Sequence, residues 1–357
     1  MLFSSDRLKD LSRLLFLKSG SDEREADIVS NHVVDACLSG HDSHGVIRVA
    51  AYVNAVKKGE LFPNRPATTM LETDSLLVLE SNHGYGQVVA HDATDAGIAK
   101  ARKSGIAMVT VREAGHFGRL GAWAERAAEA GQATIYFANS ARPGGAQLAP
   151  FGGSDRRLNS GPVCLGMPVE GKDPVILDIS TASVAMGKVR LARNRGTPLR
   201  EACVVDANGK LTDDPNALYG PPPGALLPFG GHKGSGLCIF TDLFGGILSG
   251  AGANYRGEPC EWYPHNNMVA IHIDVAQLGY GHGLTQQVMD YAEWIKESPS
   301  PNPEGVLMPG EFEVLNRKKR RETGIELDEK TWEQLLEAGE AFGVPREEAK
   351  RIAFGNA

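Results

Sequence analysis

No Gly-x-Gly-x-x-Gly opens a helix anywhere in this chain, and no Gly-x-x-x-x-Gly-Lys-Ser/Thr occurs, although strand-like and helix-like segments alternate through its N-terminal part. Alternation without either phosphate cradle constrains the fold to an α/β chain that is not built on the standard dinucleotide-binding or P-loop turn. A strand at 76–80 leads to a helix over 87–103. A β-branched strand at 106–111 follows, then an Ala-rich helix over 120–130 closed by Gly131 in the usual C-terminal position. From Thr134 to His272 the texture changes to short strands (175–177, 202–205, 269–273) between glycine- and proline-rich turns, which predicts largely non-sequential, mixed pairing.

The flanks read as helical. Ala26, Val29, Val33, Val34 and Cys37 form a stripe along 22–38, and a tail helix over 327–342 has Asp328 as its N-cap. After a short segment over 52–61, Pro63 and Pro66 break the chain, and 299–303 reads as an exposed linker. The longest apolar region, 236–252, contains Asp242 and several glycines and is too short to span a bilayer comfortably; it reads as a buried helix. Just before it, Gly230-Gly231-His232-Lys233-Gly234 could offer backbone N–H groups, a helix N-terminus and the Lys233 cation to one phosphate, or could be a tight turn with an exposed Lys.

Charge and cysteine content exclude several classes of function. With 37 basic and 44 acidic residues among 357, the net charge of −7 suits a soluble protein and argues against general nucleic-acid binding. The local run Arg317-Lys318-Lys319-Arg320-Arg321 reads as a solvated helix face. Cys37, Cys164, Cys203, Cys238 and Cys260 are scattered and odd in number, with no Cys-x-x-Cys pair, so neither a disulfide framework nor a zinc-ribbon site is expected. Together with an N-terminus lacking a basic segment and an apolar run, this leads to the expectation of a cytoplasmic protein with no membrane partner.

Two clusters carry the chemistry. Gly40-His41-Asp42-Ser43-His44-Gly45-Val46-Ile47-Arg48 sets an imidazole, a hydroxyl and a guanidinium side by side. His is the side chain most easily made an acid or base near neutrality, and Arg offers a planar fork that matches a carboxylate. In Glu113-Ala114-Gly115-His116-Phe117-Gly118-Arg119, a second His sits among glycines at a strand-to-helix junction. His41, Asp42, His44 and His116 could in principle gather around an ion, but no His-x-x-x-His pair exists and no separate cluster completes a ligand set, so no metal is expected. Asn139, at the end of a strand, could contact cofactor or substrate or simply form a turn.

Several segments together resemble the type-2 malate/L-lactate dehydrogenases, whose relatives include ureidoglycolate, sulfolactate and Δ1-piperideine-2-carboxylate enzymes. The matching stretches are Gly40-His41-Asp42-Ser43-His44-Gly45 with Arg48, Asn82-His83-Gly84-Tyr85-Gly86-Gln87 and His116-Phe117-Gly118. Further on come Ala149-Pro150-Phe151-Gly152-Gly153, Leu177-Asp178-Ile179-Ser180-Thr181, 227–237 and Met308-Pro309-Gly310-Glu311, in family order over almost the whole chain. The resemblance implies a mixed-sheet α/β fold in which a non-Rossmann nicotinamide-cofactor domain, 121–294, is inserted into a discontinuous substrate and dimerisation domain, 1–120 with 295–357. It also implies a homodimer. It places Ser43, His44 and His116 at the reacting centre and Arg48, with Asn139, on a small carboxylate substrate. It sets His116, Phe117, Gly118, Asp178, Ile179, Ser180, His232, Lys233, Pro309, Gly310 and Glu311 against NAD or NADP. An acidic Asp178 at the adenosine ribose would favour NAD by accepting from its 2′-hydroxyl. The expected activity is hydride transfer between NAD(P) and a 2-hydroxy/2-oxo acid pair, the alternative being reduction of a cyclic imine carboxylate. One departure is that Arg157-Leu158-Asn159-Ser160-Gly161-Pro162 stands where relatives commonly carry Gly-Thr-Asn-Pro after Arg-Leu, which puts any substrate contact of that loop in doubt.

Overall fold

A computed structural model describes residues 1–140, 145–253, 265–280 and 283–355. Cys260 and His282 fall outside the described residues. The strands are β1 (Leu2–Phe3), β2 (Thr68–Glu72), β3 (Leu76–Glu80), β4 (Ile106–Ala114), β5 (Gln132–Asn139) and β6 (Pro162–Met167). They continue with β7 (Val175–Ser180), β8 (Val204–Val205), β9 (Leu211–Thr212), β10 (Ala225–Leu226), β11 (Asn266–Asp274) and β12 (Ile325–Glu326). The helices are α1 (Ser5–Lys18), α2 (Glu23–Leu38), α3 (Val49–Lys58), α4 (Gly86–Ser104), α5 (Gly121–Glu129) and α6 (Met186–Arg195). After them come α7 (His232–Phe240), α8 (Gly283–Lys296), α9 (Glu311–Thr323), α10 (Glu329–Glu340) and α11 (Arg346–Phe354).

Side-chain caps start three of these helices. Ser4, Asp22 and Asp328 each accept the N–H three residues on, satisfying a donor that the first helical turn leaves free. Leu8, Leu15, Phe16, Val33, Val53 and Leu335 then close a helical core in which the two chain ends meet, with β1 paired antiparallel to β12.

The main sheet has seven strands in the order β2-β3-β4-β11-β5-β6-β7, and of its pairings only β3 with β4 is parallel. Long-range pairing is confined to β11, which enters between β4 and β5; the expected non-sequential order is otherwise replaced by a simple antiparallel meander, β5-β6-β7. Met268, Val269 and Ala270 of β11 are buried in succession, as a central strand covered on both faces requires. The sheet draws β2 to β4 from one side of residue 121 and β5 to β7 with β11 from the other, around a core containing Val109, Val111, Trp123 and Tyr136. A smaller three-stranded sheet, β10-β8-β9, closes over Leu148, Val204 and Leu226.

Two expectations are corrected. The apolar region beginning at Gly236 is not a buried helix: it continues α7 as a π-helical segment, Thr241–Leu248, and leaves Ile239, Phe240, Leu243, Ile247 and Leu248 at least 40% exposed. Its helical periodicity buries Cys238, Thr241, Asp242, Gly245 and Gly246 and turns the large residues outward. The basic run on α9 is a solvated face only in part: Lys318, Lys319 and Arg321 are exposed, whereas Arg317 and Arg320 turn inward. Arg317 is held by Asp35 and Glu125 and Arg320 by Asp42, partners 192 to 282 residues away in sequence. Among the described residues, no helix is long and apolar enough to cross a membrane.

Candidate active site

The residues expected at the reacting centre come together where the short turn after α2 meets the loop after β4. Ser43 and His44 lie on one 3-10 turn and Arg48 at the end of the next, just before α3, while His116 follows β4. The fold stacks the two imidazoles, with ring centroids 5.3 Å apart at 24°. Ser43 Oγ lies 2.9 Å from His44 Nδ1. Tyr52 Oη lies 2.6 Å from His116 Nδ1 and accepts an N–H from Gln87 at 2.9 Å. Each ring thus has its Nδ1 held, and these two bonds leave Nε2 unengaged. Arg48 donates through Nε to the Ser43 carbonyl at 2.6 Å.

Burial keeps both imidazoles neutral. It lowers His44 to about 3, with the Arg48 charge acting in the same direction, and lowers His116 well below the ordinary range for the same two reasons. Burial also pushes the Tyr52 hydroxyl up, so it stays protonated. Neither Tyr52 nor Gln87 is singled out by the sequence as a site residue: Tyr52 lies in a short segment over 52–61, and Gln87 enters only as the last residue of the Asn82–Gln87 stretch and the start of a helix.

The other expected residues are distributed in three places. Phe117 is buried, with its N–H given to Asn266 Oδ1 at 3.1 Å and its carbonyl accepting from Trp123 Nε1 at 3.2 Å. Gly118 (φ +75°) turns the chain so tightly against the His32 ring that a Cβ would overlap it. Asp178, on β7, accepts the Gly121 N–H at 2.6 Å at the start of α5, and burial raises its carboxyl. Ile179 and Ser180 continue β7; Pro309 accepts from Ile176 N–H at 3.0 Å, and Gly310 packs on the same strand. Glu311 then opens α9, accepting from the Met308 N–H at 2.9 Å and paired with Lys296.

His232 and Lys233 stand apart from this group. They are exposed at the N-terminus of α7, which has no side-chain cap and is entered through Gly230 (φ +58°) and Gly231 (φ +63°). Asn139 is buried and engaged, donating to Asp242 at 3.1 Å and accepting from Asn267 at 3.0 Å. Asn159 gives its Nδ2 to the Ser140 carbonyl at 3.1 Å.

His41, Asp42 and His44 do not converge on one point. His41 turns to Glu313 at 2.8 Å and Asp42 to Arg320, both on α9. A cleft of about 600 Å³ between α2, α5 and α9 is lined by His32, Asp35, Trp123, Glu125, Gly310 and Arg317, but by neither His44 nor His116.

Comparison with known proteins places the chain in a family. The family profile described as malate/L-lactate dehydrogenase matches residues 3–336. Hydroxycarboxylate dehydrogenase B of Escherichia coli is 36% identical over 348 residues, covering 97% of this chain and 95% of that protein. Among solved structures, sulfolactate dehydrogenase from Methanocaldococcus jannaschii superposes with a TM-score of 0.88 at 30% identity over 98% of this chain and 99% of that one. A Δ1-piperideine-2-carboxylate reductase from Pseudomonas syringae gives 0.83 at 26% identity, over 95% and 99% of the two chains. With a profile matched along nearly its whole length and a cluster of two held imidazoles beside an arginine, the chain belongs to the malate/L-lactate dehydrogenase family of oxidoreductases.

Proposed function

We propose that this protein interconverts a small 2-hydroxy acid and its 2-oxo acid with a nicotinamide dinucleotide as the redox partner, and that Ser43, His44, Arg48 and His116 form the reacting centre. The observation that carries the reading is the stacked pair His44 and His116, both neutral and both held at Nδ1, beside Arg48. The residues present suit the cofactor. The uncapped N-terminus of α7, entered through two left-handed glycines and flanked by Lys233, suits its phosphates. Asp178 with Ile179 and Ser180, the Pro309-Gly310-Glu311 turn and His116-Phe117-Gly118 would hold the remainder. The bound nicotinamide supplies or accepts the hydride.

The protein's own residues manage the proton and the substrate's position. Arg48 clamps the substrate carboxylate in two hydrogen bonds, so that one face of the reacting carbon is presented. A neutral imidazole accepts the hydroxyl proton through Nε2 during oxidation and, once charged, returns it during reduction. Ser43 orients His44, and Tyr52 with Gln87 orients His116. The domain division 121–294 against 1–120 with 295–357 would be one of chain segments that share the main sheet, with cofactor-holding residues drawn from both. Asp178 inclines the choice of cofactor to NAD.

The exposed Ile239, Phe240, Leu243, Ile247 and Leu248 support a homodimer in which a second copy covers this face. The free, buried Cys37, Cys164, Cys203 and Cys238 suit the reducing cytoplasm.

The test is a panel of 2-oxo acids and cyclic imine carboxylates assayed with NADH and with NADPH. Turnover of a 2-oxo acid is expected. Turnover confined to the cyclic imines, or none with any substrate, would overturn the reading.

A further inference from the structure

His83, Glu113 and His265 come from three separate segments, yet one ligating atom of each lies within 4.8 Å of the others. His83 follows β3, Glu113 is the penultimate residue of β4, and His265 stands immediately before β11. The Glu113 carboxylate oxygen is 3.3 Å from His265 Nδ1 and 3.9 Å from His83 Nδ1, and the two rings are 4.1 Å apart. His83 Nδ1 is buried without a hydrogen-bond partner although it faces a carboxylate. Nitrogen and oxygen ligands about 2.0–2.1 Å from a tetrahedral ion sit about 3.4 Å from one another. Glu113 and His265 are close enough to hydrogen-bond, but His83 Nδ1 at 3.9 Å is not, and a shared ion would engage all three.

The backbone supports the same conclusion. Among the described residues, four other than glycine have positive φ, and three of them are Asn82 (+55°), His83 (+60°) and Glu113 (+54°). Residues other than glycine are strained in the left-handed region, and conformations of this kind gather at ligand sites. Neighbouring cations do not satisfy the carboxylate. Arg112 gives its Nε to Glu80 at 2.6 Å, and Arg65 lies over the Phe62 ring at 4.4 Å.

We propose that His83, Glu113 and His265 form a divalent transition-metal site of the zinc class, with water in the fourth position. Two imidazoles and one carboxylate select zinc-like ions over the oxygen-only ligation of calcium or magnesium. The ion would tie together the segments behind His116: the 82–86 turn, the end of β4 and the start of β11. It would brace the pocket without touching substrate, and it lies outside the hydride chemistry proposed above.

The test uses the full chain after dialysis against EDTA, titrated with Zn²⁺ by calorimetry and with Co²⁺ by visible absorption. One equivalent is expected to bind, with the d–d bands of four-coordinate Co²⁺, and Zn²⁺ should raise the melting temperature. Glu113→Gln and His265→Ala should each weaken binding by more than the roughly 10–100-fold that losing an outer-shell partner costs. His91→Ala, at a histidine on α4, should bind as the wild type does. Circular dichroism establishes that each variant is folded. Absence of stoichiometric binding by the wild type, or equal binding by the folded Glu113→Gln and His265→Ala variants, would overturn the proposal.

Discussion

Tyr52 holds His116 by its Nδ1 at 2.6 Å, across 64 residues of sequence, and is itself held by Gln87. If His116 serves the substrate as proposed, this bond leaves Nε2 to do so and makes the tyrosine a positioning residue. Tyr52→Phe should therefore lower kcat by about tenfold to a hundredfold, the lower part of the range for general acid–base groups, with little change in KM for the cofactor. The pH dependence of kcat should move as well, because His116 loses a fixed partner. Unchanged kcat and an unchanged pH profile in a folded variant would remove Tyr52 from this role.

Arg48 is the residue expected to grip the substrate. Arg48→Met should cost about 2 kcal/mol or more in kcat/KM for a carboxylate substrate, through loss of a bidentate charged pair, while cofactor binding followed by fluorescence stays near the wild-type value. Equal losses for carboxylate and non-carboxylate substrates would instead point to a general disturbance of the turn that carries Ser43 and His44.

Asp178 tests the choice of cofactor. Its carboxylate accepts the Gly121 N–H through one oxygen, and under the proposed reading the other would meet a ribose hydroxyl and repel a 2′-phosphate. Asp178→Ser should shift the ratio of kcat/KM values toward NADPH, measured with both cofactors on both proteins. A ratio that does not move would show that this carboxylate serves α5 and not the ribose.

His272 offers a stability test. It is fully buried, neither ring nitrogen has a hydrogen-bond partner, and burial lowers it to about 4. The unfolded chain therefore takes up this proton at a higher pH than the folded one. Stability is lost as pH falls from about 6.5 toward 4, by an amount on the order of 3 kcal/mol for this group over the full window. His32 and His44, both lowered to about 3 mainly by burial, act with the same sign. His272→Leu should be at least as stable as the wild type at pH 7 and lose less in melting temperature between pH 7 and pH 4.5. A steeper loss in the variant would refute the assignment.

What could be read from the sequence was local. Asp22 and Asp328 cap the helices whose starts they mark, and the β-branched run from Ile106 lies in β4. Ser43, His44 and Arg48 share one short stretch, so their proximity needed no fold to reveal it. What stayed hidden depended on distant partners. Nothing near Arg317 announces Asp35 and Glu125, and nothing near Tyr52 announces His116. The strand Pro162–Met167 was obscured by Pro162 and Gly166, two poor strand formers. Where α7 continues past Phe240, an apolar sequence did not distinguish a residue covered by its own chain from one left for another surface.

The position of β11 also bears on how the molecule is made. A ribosome releases β2, β3 and β4 early and β5, β6 and β7 soon after, yet β4 and β5 do not touch until residues 266–274 arrive to lie between them. Until then the growing chain carries two half-sheets, each with an open hydrogen-bonding edge. Such edges invite pairing with other chains, and contacts closed over so long a loop form slowly. Premature termination before residue 266 would leave both edges permanently unpaired, so truncated products of this gene should aggregate instead of accumulating as smaller folded proteins.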